Sequence, residues 1–83
     1  MTNLEIFDRV RAGYAHAIEK HPHFAEGPYE ALGILGEEYG EVVREITKGQ
    51  DGWEQRMDCE LIDLIAVALR MLKREYAVID SEL

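Results

Sequence analysis

Apolar residues recur at steps of three and four along three stretches of this chain, a spacing typical of helices. No stretch alternates apolar and polar residues as a strand does, so we predict an all-α fold of three main helices. His21-Pro22-His23 and the segment from Gly49 to Gly52 interrupt the periodicity and predict the two connections. We expect helices from a cap at Thr2 or Asn3 to Lys20, from Pro28 to Lys48 and from Trp53 to about Tyr76, with residues 77–83 forming a short turn or a mobile tail.

The second predicted helix contains Gly33, Gly36 and Gly40 in its interior. Each costs about 0.5–1 kcal/mol relative to alanine in a helix. We therefore expect close packing against these positions.

The chain is short, and its third predicted helix is unusually apolar. Its 83 residues allow one domain, residues 1–83, with a thin core. The apolar arc of the third helix runs about half-way round, from Met71 through Leu64 to Ile62, which is wider than one neighbouring helix covers. We expect a helical bundle completed by oligomerisation, as a homodimer or a homotetramer.

Negative charge is concentrated in the middle of the chain. The net charge is −8, and residues 25–63 account for all of it, with 11 acidic and three basic side chains. This balance disfavours binding to a nucleic acid polymer, because the phosphate backbone would be repelled. No apolar run is long enough to span a membrane and no export signal is evident, so we expect a cytoplasmic protein without a membrane partner. The acidic segment is either a solvated surface or a cation site.

Two pairs of carboxylates at helical spacing favour the cation site. Glu38 and Glu41 lie one turn apart at the border of the second apolar stripe, and Glu60 and Asp63 repeat that arrangement on the third helix. If the two helices pack antiparallel, both pairs converge, and four anions require neutralisation by protons or by a hard cation such as Mg²⁺. Either pair alone would more often be a solvated surface feature, and Glu60 has Arg56 available one turn earlier.

These motifs resemble a known family. Glu37-Glu-Tyr-Gly-Glu41, an 18-residue gap and Glu60-Leu-Ile-Asp63 are similar to the paired motif of the MazG-like nucleoside triphosphate pyrophosphohydrolases, an all-α superfamily that includes dimeric dUTPase-like enzymes and phosphoribosyl-ATP pyrophosphohydrolase. The similarity covers residues 28–75. It implies Mg²⁺ ligands at Glu38, Glu41, Glu60 and Asp63, with Mn²⁺ as a substitute ion. It also implies cleavage of a nucleoside triphosphate between the α and β phosphates, and in dUTPase-like members the glutamate that matches Glu37 activates water. A solvated surface acid is the alternative for Glu37.

Further candidates follow from spacing and chemistry. Lys48, Arg70 and Arg74 lie on the same edge as the carboxylates and are candidate substrate-phosphate ligands, although each could instead form an ordinary salt bridge. His23 and Trp53 are candidate nucleobase contacts, with a loop residue and a hydrophobic lid or subunit contact as the respective alternatives. We therefore expect a Mg²⁺-dependent nucleotide pyrophosphohydrolase. A non-catalytic helical oligomerisation or regulatory module that binds nucleotide or metal is the alternative.

Overall fold

Three α-helices account for most of the computed structural model, which describes residues 1–76. They are α1 (Asn3–Lys20), α2 (Pro28–Lys48) and α3 (Trp53–Leu72). The predicted all-α class is confirmed, and the predicted bounds of α1 and α2 agree with the structure. The expectation for residues 77–83 lies outside the described residues.

Local chemistry explains where the helices begin and where α2 ends. Thr2 rather than Asn3 caps α1, because its hydroxyl accepts from the Glu5 amide at 3.2 Å while the Glu5 carboxylate accepts from the Thr2 amide at 3.1 Å. Pro28 occupies the start of α2, where its missing N–H is not needed. Gly49 ends α2 in the left-handed region at φ 60°, a conformation that glycine adopts without strain.

The third helix ends four residues earlier than its periodicity predicted. Arg74 adopts φ 55°, and its amide donates to the Met71 carbonyl at 3.1 Å while the Glu75 amide donates to the Arg70 carbonyl at 3.0 Å. This pair of hydrogen bonds is a Schellman motif, which normally has glycine at the left-handed position. The prediction of a helix to Tyr76 was wrong because the sequence has no glycine at the position where α3 ends. Tyr76 instead forms a parallel β-bridge with Ala25.

The central helix of the bundle is α3, which packs against both α1 and α2. The pairs Arg9–Cys59 and Gly13–Ile62 follow the same order along both helices, so α1 runs parallel to α3. Along α3, Arg56 contacts Glu45 and the later residue Asp63 approaches the earlier residue Glu38 of α2. The residue numbers rise on one helix as they fall on the other, so α2 is antiparallel to α3. The short connection between α2 and α3 is typical of an antiparallel helix pair.

The core is thin, as expected for so short a chain. Its buried apolar cluster consists of Phe24, Ala25, Ala31 and Val67, two of which are alanines. The radius of gyration is 14.4 Å, with extents of 50 × 27 × 18 Å. A compact domain of this length would have a radius of about 11–12 Å. The bundle is therefore an elongated slab. None of the helices described has the length and apolar character needed to cross a membrane.

One glycine does allow a close helix contact, but it is not among those in α2. A Cβ at Gly33, Gly36 or Gly40 would have no described atom within 4 Å, other than those of its immediate surroundings in α2, so no described residue of this chain packs closely there. A Cβ at Gly13 of α1 would overlap the Ile62 Cγ2 of α3. Gly13 therefore sets the distance between α1 and α3.

Substitution of Gly13 tests this close approach. We expect Gly13→Ala to lower the free energy of unfolding by about 1–3 kcal/mol, because Ile62 Cγ2 sits on a stiff β-branched side chain and must shift. Gly33→Ala is the matched control, since the added methyl meets open space and should stabilise α2 by about 0.5–1 kcal/mol. Urea unfolding of both variants measures the difference. Equal effects of the two substitutions would contradict the tight contact.

Candidate metal site and adjoining cavity

Three carboxylates from two helices converge in the middle of the bundle. Glu38 of α2 and Glu60 and Asp63 of α3 each offer an oxygen, and these oxygens all lie within 4.8 Å of one another. Glu38 and Glu60 are half-buried, whereas Asp63 is exposed. The convergence follows from the antiparallel packing of α2 on α3, which brings the middle of one helix against the middle of the other. We refer to these three side chains as the carboxylate triad.

The triad is electrostatically unfavourable in its ionised form. Burial raises the pKa of Glu38 above its usual range, and neighbouring carboxylates raise it further. In order of effect these neighbours are Asp63, Glu60, Glu41 and Glu37. The pKa of Glu60 is also raised, by burial first and then by the charge of Asp63. Raised pKa values in a group of converging acids indicate a place where a proton or a cation is needed.

The other two predicted acids lie beside the triad with different surroundings. Glu41, predicted as a fourth metal ligand, is outside the group of converging oxygens, and its Oε2 accepts from Arg44 Nη1 at 2.7 Å. Its charge nevertheless acts on Glu38 and Glu60. Glu37, the predicted water-activating residue, is exposed and lines the cavity that also contains Glu38 and Asp63.

That cavity has a volume of about 390 Å³, within the range of small-molecule sites. Its acidic side is formed by Glu37, Glu38 and Asp63. The other side is formed by α1 and the connection to α2, and it carries basic and aromatic groups. These are His16, Lys20, His21, His23 and Phe24. A ligand in the cavity would therefore meet carboxylates on one side and cationic or imidazole groups on the other.

The predicted basic and aromatic ligands are only partly brought to this cavity. His23 lines it, and its Nε2 lies 3.3 Å from Glu26 Oε1. Lys48 and Trp53 do not line it, because each lies about 15 Å along its helix axis from the triad carboxylate that does. Arg74 is also outside the cavity, and its guanidinium donates to main-chain carbonyls at the end of α3.

Arg70 does line the cavity, but its guanidinium is already occupied by the protein. The residue is 3% exposed. Nη1 donates to the Ala17 and His21 carbonyls at 3.3 and 2.8 Å, and Nη2 donates to the Pro22 carbonyl at 3.4 Å. Nε donates to Glu75 Oε1 at 2.8 Å. A buried guanidinium with four protein acceptors is fixed by those hydrogen bonds and is not free to bind a ligand.

The α1 side of the cavity was missed by sequence reasoning. Gly13, His16, Ala17 and Lys20 line it, and they follow the three-and-four spacing of one helix face. That spacing was the available signal. It was overlooked because these residues are small or polar, and the apolar stripe of α1 lies on other positions.

The residues of the triad fit a hard divalent cation. Oxygens that bind one Mg²⁺ at about 2.1 Å lie at most about 4.2 Å apart, so small side-chain rotations would bring the three oxygens within range. No family model matches this chain, and no curated protein or solved structure is significantly similar to it. The triad, the cavity and the motifs that build them are therefore the features of this chain that point to a function.

The raised pKa of Glu38 predicts a pH-dependent effect of its removal. Below the unfolded pKa of 4.5 the side chain is protonated in both states. As the pH rises through the interval between this value and the higher folded pKa, the ionised carboxylate destabilises the folded wild type. We expect Glu38→Gln to raise the Tm of the metal-free protein at about pH 7 and to change it little at about pH 4.

Thermal unfolding in the presence of a chelator measures this effect. Glu19→Gln, which removes an exposed carboxylate of α1 outside the cavity, is the control and should show a much smaller change with pH. If the gain from Glu38→Gln were the same at both pH values, carboxylate repulsion at the triad would be ruled out as its cause.

Proposed function

We propose that this protein is a Mg²⁺-dependent nucleoside triphosphate pyrophosphohydrolase that acts in the cytoplasm, cleaving between the α and β phosphates to release a nucleoside monophosphate and pyrophosphate. The observation that carries the proposal is the carboxylate triad at the edge of a cavity of nucleotide size. Further support is the resemblance of the motifs at Glu37–Glu41 and Glu60–Asp63 to those of MazG-like enzymes. We expect Mn²⁺ to substitute for Mg²⁺ in the reaction.

The charge of the site explains why a cation is part of the proposal. Glu37, Glu38 and Asp63 would repel a triphosphate that approached them directly. When bound, Mg²⁺ would neutralise phosphate oxygens and stabilise the negative charge that develops on the leaving pyrophosphate. The triad would hold the ion. Glu41 would either keep its ion pair with Arg44 or leave it and become a fourth carboxylate ligand.

Glu37 is the best-placed residue to activate the attacking water. It lines the cavity beside Glu38, yet it is not one of the converging oxygens that would hold the cation. A carboxylate beside the attacking water can accept a proton from it as a general base. The imidazole and aromatic groups across the cavity, including His23 and Phe24, would contact the nucleoside.

Variants of Glu37 and Glu38 separate water activation from metal binding. Glu37→Gln should lower turnover by about 10²–10⁴-fold with little change in nucleotide affinity, because it removes a general base and keeps the shape of the side chain. Glu38→Gln should lower both turnover and Mg²⁺-dependent nucleotide affinity, because it removes a ligand. Pyrophosphate release and nucleotide binding are measured for a panel of triphosphates with Mg²⁺ or Mn²⁺.

The same measurements distinguish the enzyme from a binding module. Gln55→Glu changes an exposed residue of α3 outside the cavity and should retain wild-type turnover. If the wild type binds nucleotide and releases no pyrophosphate across the panel, the protein is a non-catalytic module. If Glu37→Gln instead keeps wild-type turnover, Glu37 is not the base, and the assignment as a hydrolase is unaffected.

We also propose that the active form is a homodimer or a homotetramer in which α2 packs against a second copy. Leu32, Tyr39 and Ile46 are 58%, 63% and 50% exposed, and with Val43 they follow one face of α2. Leu32, Leu35, Gly36 and Tyr39 form an apolar groove together with Leu64 of α3. This surface, the α2 apolar face, lies beside the helix contact that carries the triad. A second copy packed on the α2 apolar face would bury these side chains and add helices to the bundle.

A charge placed on the α2 apolar face tests the oligomer. The wild type should sediment at twice the 9.5 kDa of one chain or more at micromolar concentration. Tyr39→Glu should shift the equilibrium to the monomer, because a carboxylate would lose its hydration in an apolar interface. Gln55→Glu adds the same charge outside this face and should leave the sedimentation coefficient unchanged. A monomeric wild type would contradict the proposal.

A further inference from the structure

Arg70 joins three segments, namely α3, the last turn of α1 and the connection that follows α1. From α3 it reaches the last turn of α1 through the Ala17 carbonyl and the following connection through the His21 and Pro22 carbonyls. Its guanidinium also lies over the Phe24 ring, with the central carbon 4.8 Å from the ring centroid. The last carbonyls of a helix have few donors within the helix itself. The Ala17 carbonyl accepts from the His21 amide at 2.9 Å, and Arg70 adds a second donor there while it also donates to the His21 and Pro22 carbonyls.

Glu75 fixes the guanidinium from the opposite side. Its carboxylate accepts from Arg70 Nε and from the Tyr14 hydroxyl, and it lies 3.7 Å from Lys73 Nζ. Burial alone would raise the pKa of Glu75, but these hydrogen bonds and positive charges outweigh it and lower the pKa below its usual range. Glu75 is therefore ionised where it faces Arg70. It does not line the cavity.

The segment fixed in this way is one wall of the cavity. His21, His23 and Phe24 line the cavity and belong to the connection whose carbonyls Arg70 binds. Phe24 is held in addition by Tyr76, with the two rings 6.4 Å apart, and the neighbouring Ala25 pairs with Tyr76 in the β-bridge. We name residues 21–24 the loop wall.

We propose that Arg70 is a positioning residue, which holds the loop wall in place for ligand binding without contacting a substrate phosphate itself. This inference rests on the proposed nucleotide hydrolysis, and it replaces the expectation from spacing that this arginine binds phosphate. The fork of a guanidinium serves several acceptors at once, which one ammonium group does not. A direct phosphate ligand depends mainly on positive charge, whereas a positioning residue depends on its geometry and its anchor Glu75.

Two substitutions distinguish these roles. Arg70→Lys keeps the charge and loses the fork, and Glu75→Gln weakens the anchor without altering any group that lines the cavity. We expect both to raise KM by about tenfold, a loss comparable to one net hydrogen bond, and to change kcat less than about twofold. This result would mean that the loop wall contributes equally to binding of the substrate and of the transition state. Arg11→Gln, which removes an exposed charge of α1 that pairs only with Asp8 among the described residues, is the control and should retain the wild-type KM.

A second readout does not depend on catalysis. Phe24 is buried, so chymotrypsin should cut after it slowly in the wild type and at least several-fold faster in Arg70→Lys and Glu75→Gln. Mass spectrometry follows this cut, at a temperature where thermal unfolding shows that each variant is folded. If Arg70→Lys does not fold, Glu75→Gln carries both measurements.

The outcomes separate this inference from the proposed function. The probes for KM are the common ribonucleoside and deoxyribonucleoside triphosphates, each with Mg²⁺. Wild-type KM in Glu75→Gln, or an unchanged rate of cutting after Phe24 in both variants, overturns the positioning role. Failure of the wild type to hydrolyse any probe overturns the proposed function, and the proteolysis alone then decides whether Arg70 and Glu75 hold the loop wall.

Discussion

Antiparallel packing of α2 on α3 is the constraint on which the site depends, because it alone brings Glu38 against Glu60 and Asp63. The apolar residues that drive this packing lie next to the acids along the same helices. Ala31 and Val67 are buried at one end of the contact, and Glu45 pairs with Arg56 at the other. Apolar burial, which includes Val42 between Glu38 and Glu45, and this charge pair therefore hold three carboxylates closer together than their charges favour. A helix pair without these two anchors would relieve the repulsion by separating.

This arrangement divides the chain into parts with opposite electrostatic character. Around the triad, acidic groups outnumber their basic partners, and the pKa values of Glu38 and Glu60 are raised. Around Arg70 and Glu75, opposite charges and main-chain carbonyls satisfy one another, and among the described residues no buried side-chain nitrogen or oxygen lacks a hydrogen-bond partner. Unsatisfied charge at one place and satisfied charge at another indicate different roles. The first is suited to receive a cation, and the second to fix the geometry around it.

Sequence periodicity predicted the helices and the approach of Glu38 to Glu60 and Asp63, because spacing along a helix determines which side chains share a face. It did not predict the left-handed Arg74 that ends α3, since a non-glycine residue there depends on tertiary contacts. Spacing also placed Arg70 on the edge that carries the acids, but it gave no information on acceptors that come from α1. The role of Gly13 was missed for the same reason: its partner Ile62 is distant in sequence.

The attachment of α1 has a consequence for how the molecule opens. No residue of α1 is buried, and α1 is held by the close approach at Gly13, by the Tyr14 hydroxyl on Glu75 and by the carbonyls on Arg70. These contacts join residues that are distant in sequence, whereas α2 and α3 are neighbours in the chain. We therefore expect α1 to have the lowest local stability of the three helices. Its release would uncover one side of the cavity while leaving the triad assembled, so access to the site and assembly of the site are separate equilibria.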